Sequence, residues 1–125
     1  MKRNVVMIVA MAIIIIAASA LPAAADGIEG YWCRNVNNVV GDIISITSSG
    51  DVSKVNLREG WDRPIYSEGI GSLNGNYFTV TLRSKTQPNT IVHVVIKFSG
   101  NSASYTSFNM DGSFRWKGDY YRCNK

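Results

Sequence analysis

The stretch that decides the fold is "IEGYWCRN", residues 28–35, in which Trp32 stands next to Cys33. The chain has two cysteines, and the second is Cys123, the third residue from the end of the 125-residue sequence. Side chains alternate between the two faces of a β-strand, so neighbouring positions serve opposite faces. We therefore expect Trp32 to pack on one face of a first strand, and Cys33 to form a bond on the other.

The residues before this stretch are typical of a secretory signal. Lys2 and Arg3 are followed by an apolar run over residues 5–18, and "LPAAA" then supplies small residues. We predict a signal peptide over residues 1–25, with a second cleavage site after Ala20. An uncleaved anchor is the alternative, but the apolar run is short for a bilayer span. The mature chain is expected to be secreted or periplasmic, with no stable membrane insertion.

The mature chain, residues 26–125, is expected to form a single domain of 100 residues. The net charge of +4 includes Lys2 and Arg3, so the mature part carries 11 basic and 9 acidic residues. The basic residues are scattered along the sequence, so we expect no nucleic-acid surface. The sequence leaves the oligomeric state open.

The even cysteine count of an exported chain predicts a disulfide between Cys33 and Cys123. A structural zinc site would need four ligands, and two cysteines with one histidine are too few. We therefore expect neither a metal nor another cofactor.

Turn signals divide the mature chain into short segments in which apolar residues alternate with polar ones. A loop is expected at residues 58–64. The predicted strands lie at 28–34, 42–48, 52–57, 64–73, 77–82, 91–98, 102–109 and 114–123. Eight consecutive antiparallel strands commonly close, because closure removes exposed edges. The predicted fold is an all-β, eight-stranded, antiparallel up-and-down (meander) barrel with its ends joined by the disulfide.

Closure would pair the first strand with the last, so that Cys33 faces Cys123 across the seam. Trp32 and Arg122 then both point to the other side, inside the barrel. We expect Trp32 to plug one end, with the Arg122 guanidinium across its ring.

Strand alternation also selects residues that could line the barrel interior, with Arg115 and Lys117 facing out. The candidates for an apolar ligand pocket are Phe78, Val80, Val94, Ile96, Phe114, Trp116 and Tyr120. The alternative is that these side chains fill the core and leave no cavity.

Two short motifs resemble a known family. "GYW", residues 30–32, on the first strand and Arg122 on the last are similar to the signature of calycin barrels: lipocalins, fatty-acid-binding proteins and avidins. "TQP" and "KFS", within residues 86–99, resemble a hairpin of avidins. The resemblance implies a barrel with an interior ligand. Ile96 and Ala103 stand where avidins have a biotin-stacking tryptophan and a binding threonine, so biotin is not the expected ligand.

A second resemblance covers residues 99–119, "SGNSASYTSFNMDGSFRWKGD", which are similar to a stretch of the periplasmic inhibitors of c-type lysozyme. That resemblance implies an inhibitory loop whose serine and lysine engage the carboxylates of the lysozyme cleft. The residues it would use are Ser102, Ser104, Tyr105 and Lys117. The glycine that follows the serines in that family is missing, and Trp116 abuts the lysine. The alternative is an ordinary hairpin with an outward lysine.

Catalytic candidates are few. His93 is the one histidine, and its alternation with an apolar set predicts that it faces solvent. Bridged cysteines cannot act as nucleophiles, and Glu59 and Asp62 fall in the predicted loop. We therefore expect an exported, non-enzymatic binding protein for a small apolar ligand or a secreted or periplasmic protein partner. The alternative is an inhibitor of a lysozyme-type hydrolase.

Overall fold

A computed structural model describes residues 27–87 and 89–125, and the predicted signal peptide lies outside them. The described residues form eight strands: β1 Gly30–Val36, β2 Val39–Ser49, β3 Val52–Arg58, β4 Ile65–Asn74, β5 Tyr77–Ser84, β6 Ile91–Ser99, β7 Ser102–Phe108 and β8 Phe114–Cys123. Over these residues there is no helix with the length and hydropathy needed to cross a membrane.

Each strand pairs antiparallel with the next one, and β1 pairs with β8 to close the barrel. A disulfide joins Cys33 to Cys123 across 90 residues of sequence. The predicted meander barrel and its disulfide are confirmed. The expected register at the seam was wrong by two residues, because Cys33 lies opposite Tyr121 and Cys123 lies opposite Tyr31. The two cysteines are therefore diagonal neighbours.

One end of the barrel is packed shut around Trp32, whose side chain is 1% exposed. The Trp32 Nε1–H donates a hydrogen bond to the Ile28 carbonyl at 3.0 Å. Arg122 lies directly opposite in register, with its guanidinium carbon 4.3 Å from the indole centroid. It also donates to the carbonyls of Glu29, at 2.8 Å, and Gly27. The segment that precedes β1 is therefore fixed across this end, and Arg122 covers Trp32 as strand alternation predicts.

Aromatic rings continue the packing inward from Trp32. The Phe98 ring lies 4.8 Å from Trp32 and 6.4 Å from Phe78, between centroids. Aliphatic side chains from neighbouring strands surround them, and the buried cluster comprises Ile28, Trp32, Ile44, Ile46, Val55, Leu57, Phe78, Val80, Leu82, Val94, Ile96, Phe98, Ala103, Tyr105 and Tyr120. The core thus fills the barrel from the Trp32 end towards its middle.

Gly71 makes room for this packing. It faces the interior opposite Val80, and a Cβ there would lie 2.6 Å from the Phe78 ring and 2.5 Å from the Thr79 carbonyl oxygen. Gly71→Ala is therefore expected to lower the free energy of unfolding by about 1–3 kcal/mol through overpacking. Urea melts measure the loss. Ser72→Ala, on the exposed face of the same strand, should change it by less than about 0.5 kcal/mol, and equal losses would contradict this assignment.

Three strands each carry one extra residue near the other end of the barrel. The register shifts leave Gly41 unpaired in β2, Tyr66 in β4 and Arg115 in β8. Such bulges occur at barrel rims, where they bend the strand and redirect side chains. All three lie beside the β1–β2, β3–β4 and β7–β8 connections, which share one end of an antiparallel barrel. This end is therefore shaped differently from the packed one.

The β8 bulge reverses the predicted faces at the start of that strand. Phe114 was expected inside, but it pairs with Phe108 on the outer face and is 62% exposed. Arg115 was expected outside and turns instead towards the barrel opening. The alternation resumes at Trp116, which lies opposite the buried Ser107. The inward assignment of Phe114 was therefore wrong, because the extra residue Arg115 moves Phe114 to the opposite face of the strand.

Candidate ligand site at the open end of the barrel

The end opposite Trp32 holds a cavity of about 650 Å³, hereafter the cup. This volume lies within the range of small-molecule sites. All eight strands and the β5–β6 connection contribute to it. The lining residues are Arg34, Asp42, Leu57, Tyr66, Ser67, Leu82, Ser84, Thr86, Gln87, Thr90, Val92, Tyr105, Ser107, Arg115, Trp116 and Tyr120.

The floor of the cup is apolar. Leu57 and Leu82 are buried members of the core cluster, and Val92 packs against that cluster. Two serines above them are fixed by the backbone: the Ser67 hydroxyl donates to the Arg83 carbonyl at 3.2 Å, and the Ser107 hydroxyl to the Trp116 carbonyl at 3.3 Å. The floor therefore offers apolar contact area with its polar groups already bonded.

One wall of the cup is aromatic and comes from β7 and β8. The Tyr105 ring lies 5.6 Å from Trp116 and 5.5 Å from Tyr120, between centroids, and both pairs are inclined. Gly118 allows this arrangement, because a Cβ at that position would clash with the Trp116 indole. Inclined aromatic pairs at this spacing stabilise one another beyond their buried area. The wall is therefore a fixed surface against which a flat ring can pack.

An ion pair between the neighbouring strands β1 and β2 lies at the opening. Arg34 lies opposite Asp42 in register, and its Nε and Nη2 both donate to Oδ2 of Asp42, at 3.0 and 2.8 Å. The guanidinium carbon also lies 4.8 Å from the Trp116 ring centroid. Hydrogen bonding to Asp42 raises the pKa of Arg34. Arg34 is thus a permanent cation held at one edge by a carboxylate and on one face by an indole.

The three tyrosines of the cup remain protonated at physiological pH. Burial raises the pKa of Tyr66 to about 12. Burial likewise raises the pKa of Tyr105 and of Tyr120. In residues 27–87 and 89–125, no hydrogen bond to another side chain occupies the hydroxyl of Tyr66 or Tyr105. These hydroxyls are therefore neutral, and both side chains line the cup.

Two of the seven predicted pocket residues, Trp116 and Tyr120, line the cup. Four others are buried in the core beneath it, where they fill space: Phe78, Val80, Val94 and Ile96. The seventh, Phe114, lies on the outer face as described above. Four of the seven candidates therefore fill the core, which was the stated alternative, and the lining observed around the cup is mixed polar and aromatic.

The residues implied by the lysozyme-inhibitor resemblance do not form a loop. Ser102 and Ser104 lie within β7, and Lys117 lies within β8 opposite Thr106, on the outer face. Tyr105 points the other way, into the cup. The structure therefore places this set on both faces of the β7–β8 pair, with Lys117 facing outward.

Sequence reasoning missed Arg34, Asp42, Tyr66 and Arg115 as cup residues. A signal for Arg34 was present, because it follows Trp32 by two positions and so shares its inward face. An inward arginine needs hydrogen-bond acceptors, and the carboxylate of Asp42 stands across the two-residue turn. Tyr66 and Arg115 carry no comparable signal, since each reaches the cup through a bulge.

Comparison of the chain with protein-family models, with curated proteins and with solved structures returned no match. The eight-stranded antiparallel barrel is consistent with the calycin-like fold that the "GYW" motif implied, but no relative supports membership of the lipocalins, avidins or lysozyme inhibitors. In the described part of the chain, no group of three or more His, Cys, Asp or Glu side chains is placed to hold a metal ion. The site is therefore interpreted from its own geometry.

Proposed function

We propose that this chain is an exported, non-enzymatic binding protein that holds a small molecule in the cup. The observation that carries the proposal is the difference between the two ends of the barrel. One end is filled by Trp32 and covered by Arg122, whereas the other opens into about 650 Å³ of space. A fixed aromatic wall, an apolar floor and unused hydroxyl donors are the features of a ligand site.

Export is supported by two independent features. The disulfide between Cys33 and Cys123 is typical of proteins that fold in an oxidising compartment. The sequence before residue 26 has the pattern of a secretory signal. The two features together support a secreted or periplasmic location.

A role in binding rather than catalysis is supported by the titratable groups that line the cup in the described residues. They are Arg34, Asp42 and Arg115, with three tyrosines whose pKa values are raised by burial. General acid–base catalysis works best with a group that titrates near the operating pH. Asp42 is engaged by Arg34, and protonated tyrosines hold and orient a ligand more readily than they transfer its protons.

Trp116→Ala is expected to weaken the binding of 1-anilinonaphthalene-8-sulfonate by about tenfold or more, because it removes the aromatic wall of the cup. Probe fluorescence, titrated against folded protein, measures the effect. Trp61→Ala is the matched control, since Trp61 packs outside the barrel, 5.1 Å from the Tyr31 ring, and its loss should leave probe binding unchanged.

A second control addresses the outer surface, where Ile70 is 67% exposed. Ile70→Thr should not alter probe binding if the cup is the site. Loss of binding in Ile70→Thr with none in Trp116→Ala would overturn the proposal. Inhibition of c-type lysozyme by micromolar wild-type protein, lost in Lys117→Ala, would instead favour the inhibitor alternative.

A further inference from the structure

We infer that the cup selects an amphipathic anion: a flat aromatic body that packs on Trp116, bearing one carboxylate, sulfonate or phosphate group that Arg34 receives. The inference rests on the proposed function and specifies its ligand class. It follows from the donors and charges that line the cup, from the contacts that hold Arg34, and from the position of Trp116 beside Arg34.

Several hydrogen-bond donors that line the cup are not taken up by acceptors of the protein. Asp42 accepts from Nε and Nη2 of Arg34 through one carboxylate oxygen, and the Tyr120 hydroxyl also interacts with the guanidinium, which carries two further protons on Nη1. The hydroxyls of Tyr66 and Tyr105 add two neutral donors. The hydroxyl protons of Ser67 and Ser107 are already given to backbone carbonyls. A ligand that satisfies this set must bring acceptors, and charged acceptors form the stronger bonds.

The net charge of the residues that line the cup favours the same kind of ligand as these donors. Arg34 and Arg115 carry two positive charges against the single negative charge of Asp42. Arg115 reaches the opening through its bulge, and its nearest polar partner is the amide oxygen of Asn109 at 3.5 Å, the outer limit of a hydrogen bond. The net charge of the lining is therefore positive, and an anionic group is favoured at the opening.

Arg34 is held before any ligand arrives. Its edge is fixed by Asp42 and one face rests on Trp116, and the side chains of the ion pair are only 31% and 23% exposed. A guanidinium fixed in this way loses little conformational freedom on binding, so more of the interaction appears as affinity. The same indole that supports Arg34 also forms the wall, so the anionic group and the aromatic body of the ligand are recognised side by side.

Two dyes that differ by one anionic group test the inference. N-phenyl-1-naphthylamine has the aromatic frame of 1-anilinonaphthalene-8-sulfonate without the sulfonate. Wild-type protein should bind the sulfonate at least about tenfold more tightly, as expected for a charge-assisted hydrogen bond. Arg34→Gln should reduce that preference to about twofold or less, with the affinity for the neutral dye little changed.

Asp42→Asn supplies the test if Arg34→Gln fails to fold. It removes the negative charge of Asp42 but keeps an amide oxygen that can accept from Arg34, so the net charge of the cup rises while Arg34 stays held. Sulfonate binding should therefore tighten while neutral-dye binding stays constant. Lys117→Ala, on the outer face, should alter neither. Unchanged or weaker sulfonate binding in Asp42→Asn would overturn the inference.

The outcomes also separate this inference from the proposed function. Equal affinity of wild-type protein for the two dyes, with both lost in Trp116→Ala, would overturn the anion inference and leave the cup as the binding site. Binding of both dyes that does not depend on Trp116 would overturn both proposals. A sulfonate preference that survives in Arg34→Gln would show that another cation supplies it, which contradicts the role of Arg34.

Discussion

Replacing Trp32 by alanine is expected to lower the free energy of unfolding by about 3–5 kcal/mol, the range for removing a large buried aromatic side chain. The indole is almost fully buried and contacts the Phe98 ring at 4.8 Å. Its loss also leaves the Ile28 carbonyl without the Nε1–H donor and the Arg122 guanidinium without its stacking surface. Several kinds of contact are therefore lost together at the packed end.

Denaturant melts with far-ultraviolet circular dichroism measure this loss. His93→Ala is the control, because His93 lies on the outer face and its one side-chain hydrogen bond, to Thr81, is exposed. That variant should change the free energy by less than about 0.5 kcal/mol. Similar losses in the two variants would mean that the inner and outer faces are wrongly assigned.

Removing the disulfide is the other change with a large expected effect. The double variant Cys33→Ala/Cys123→Ala opens a loop closed across 90 residues. The loop-entropy relation gives a loss of about 4–5 kcal/mol for a loop of this length. Urea unfolding of the double variant, compared with the oxidised wild-type protein, measures it.

The disulfide also lies where the barrel is least secured by strand pairing. β1 and β8 share three register pairs, whereas β4 and β5 share eight. The bond at this seam therefore compensates for a short ladder. Double-variant protein with less than about 1 kcal/mol of lost stability would show that backbone pairing alone closes the seam, contrary to the loop-entropy relation.

The packed end could be predicted from the sequence because it obeys strict strand alternation. Trp32 and Cys33 are adjacent, so a bond at one forces the other to the opposite face. No bulge interrupts the register between Trp32 and Arg122. Every second position along β1 from Trp32, or along the end of β8 from Arg122, therefore lies on the inner face of the barrel.

The cup could not be predicted in the same way. Tyr66 and Arg115 each occupy an extra position, and Phe114 faces outward for the same reason. Whether a strand contains a bulge depends on its pairing partner, which a single strand's sequence does not specify. The start of β2 was also missed: Asn37 and Asn38 both adopt positive φ, 54° and 67°, in the tight turn favoured between two strands.

The three bulges have a consequence for how this protein can change over evolutionary time. They place irregular backbone at the rim, whereas Trp32, Arg122 and the disulfide stabilise the opposite end. Substitutions at distant sites with no shared partners contribute nearly additively to stability. Residues such as Tyr66 and Arg115 can therefore be exchanged, by mutation or by design, with little loss to the folding free energy carried by the far end. The residues at the rim are in this sense free to diverge while the architecture of the barrel persists.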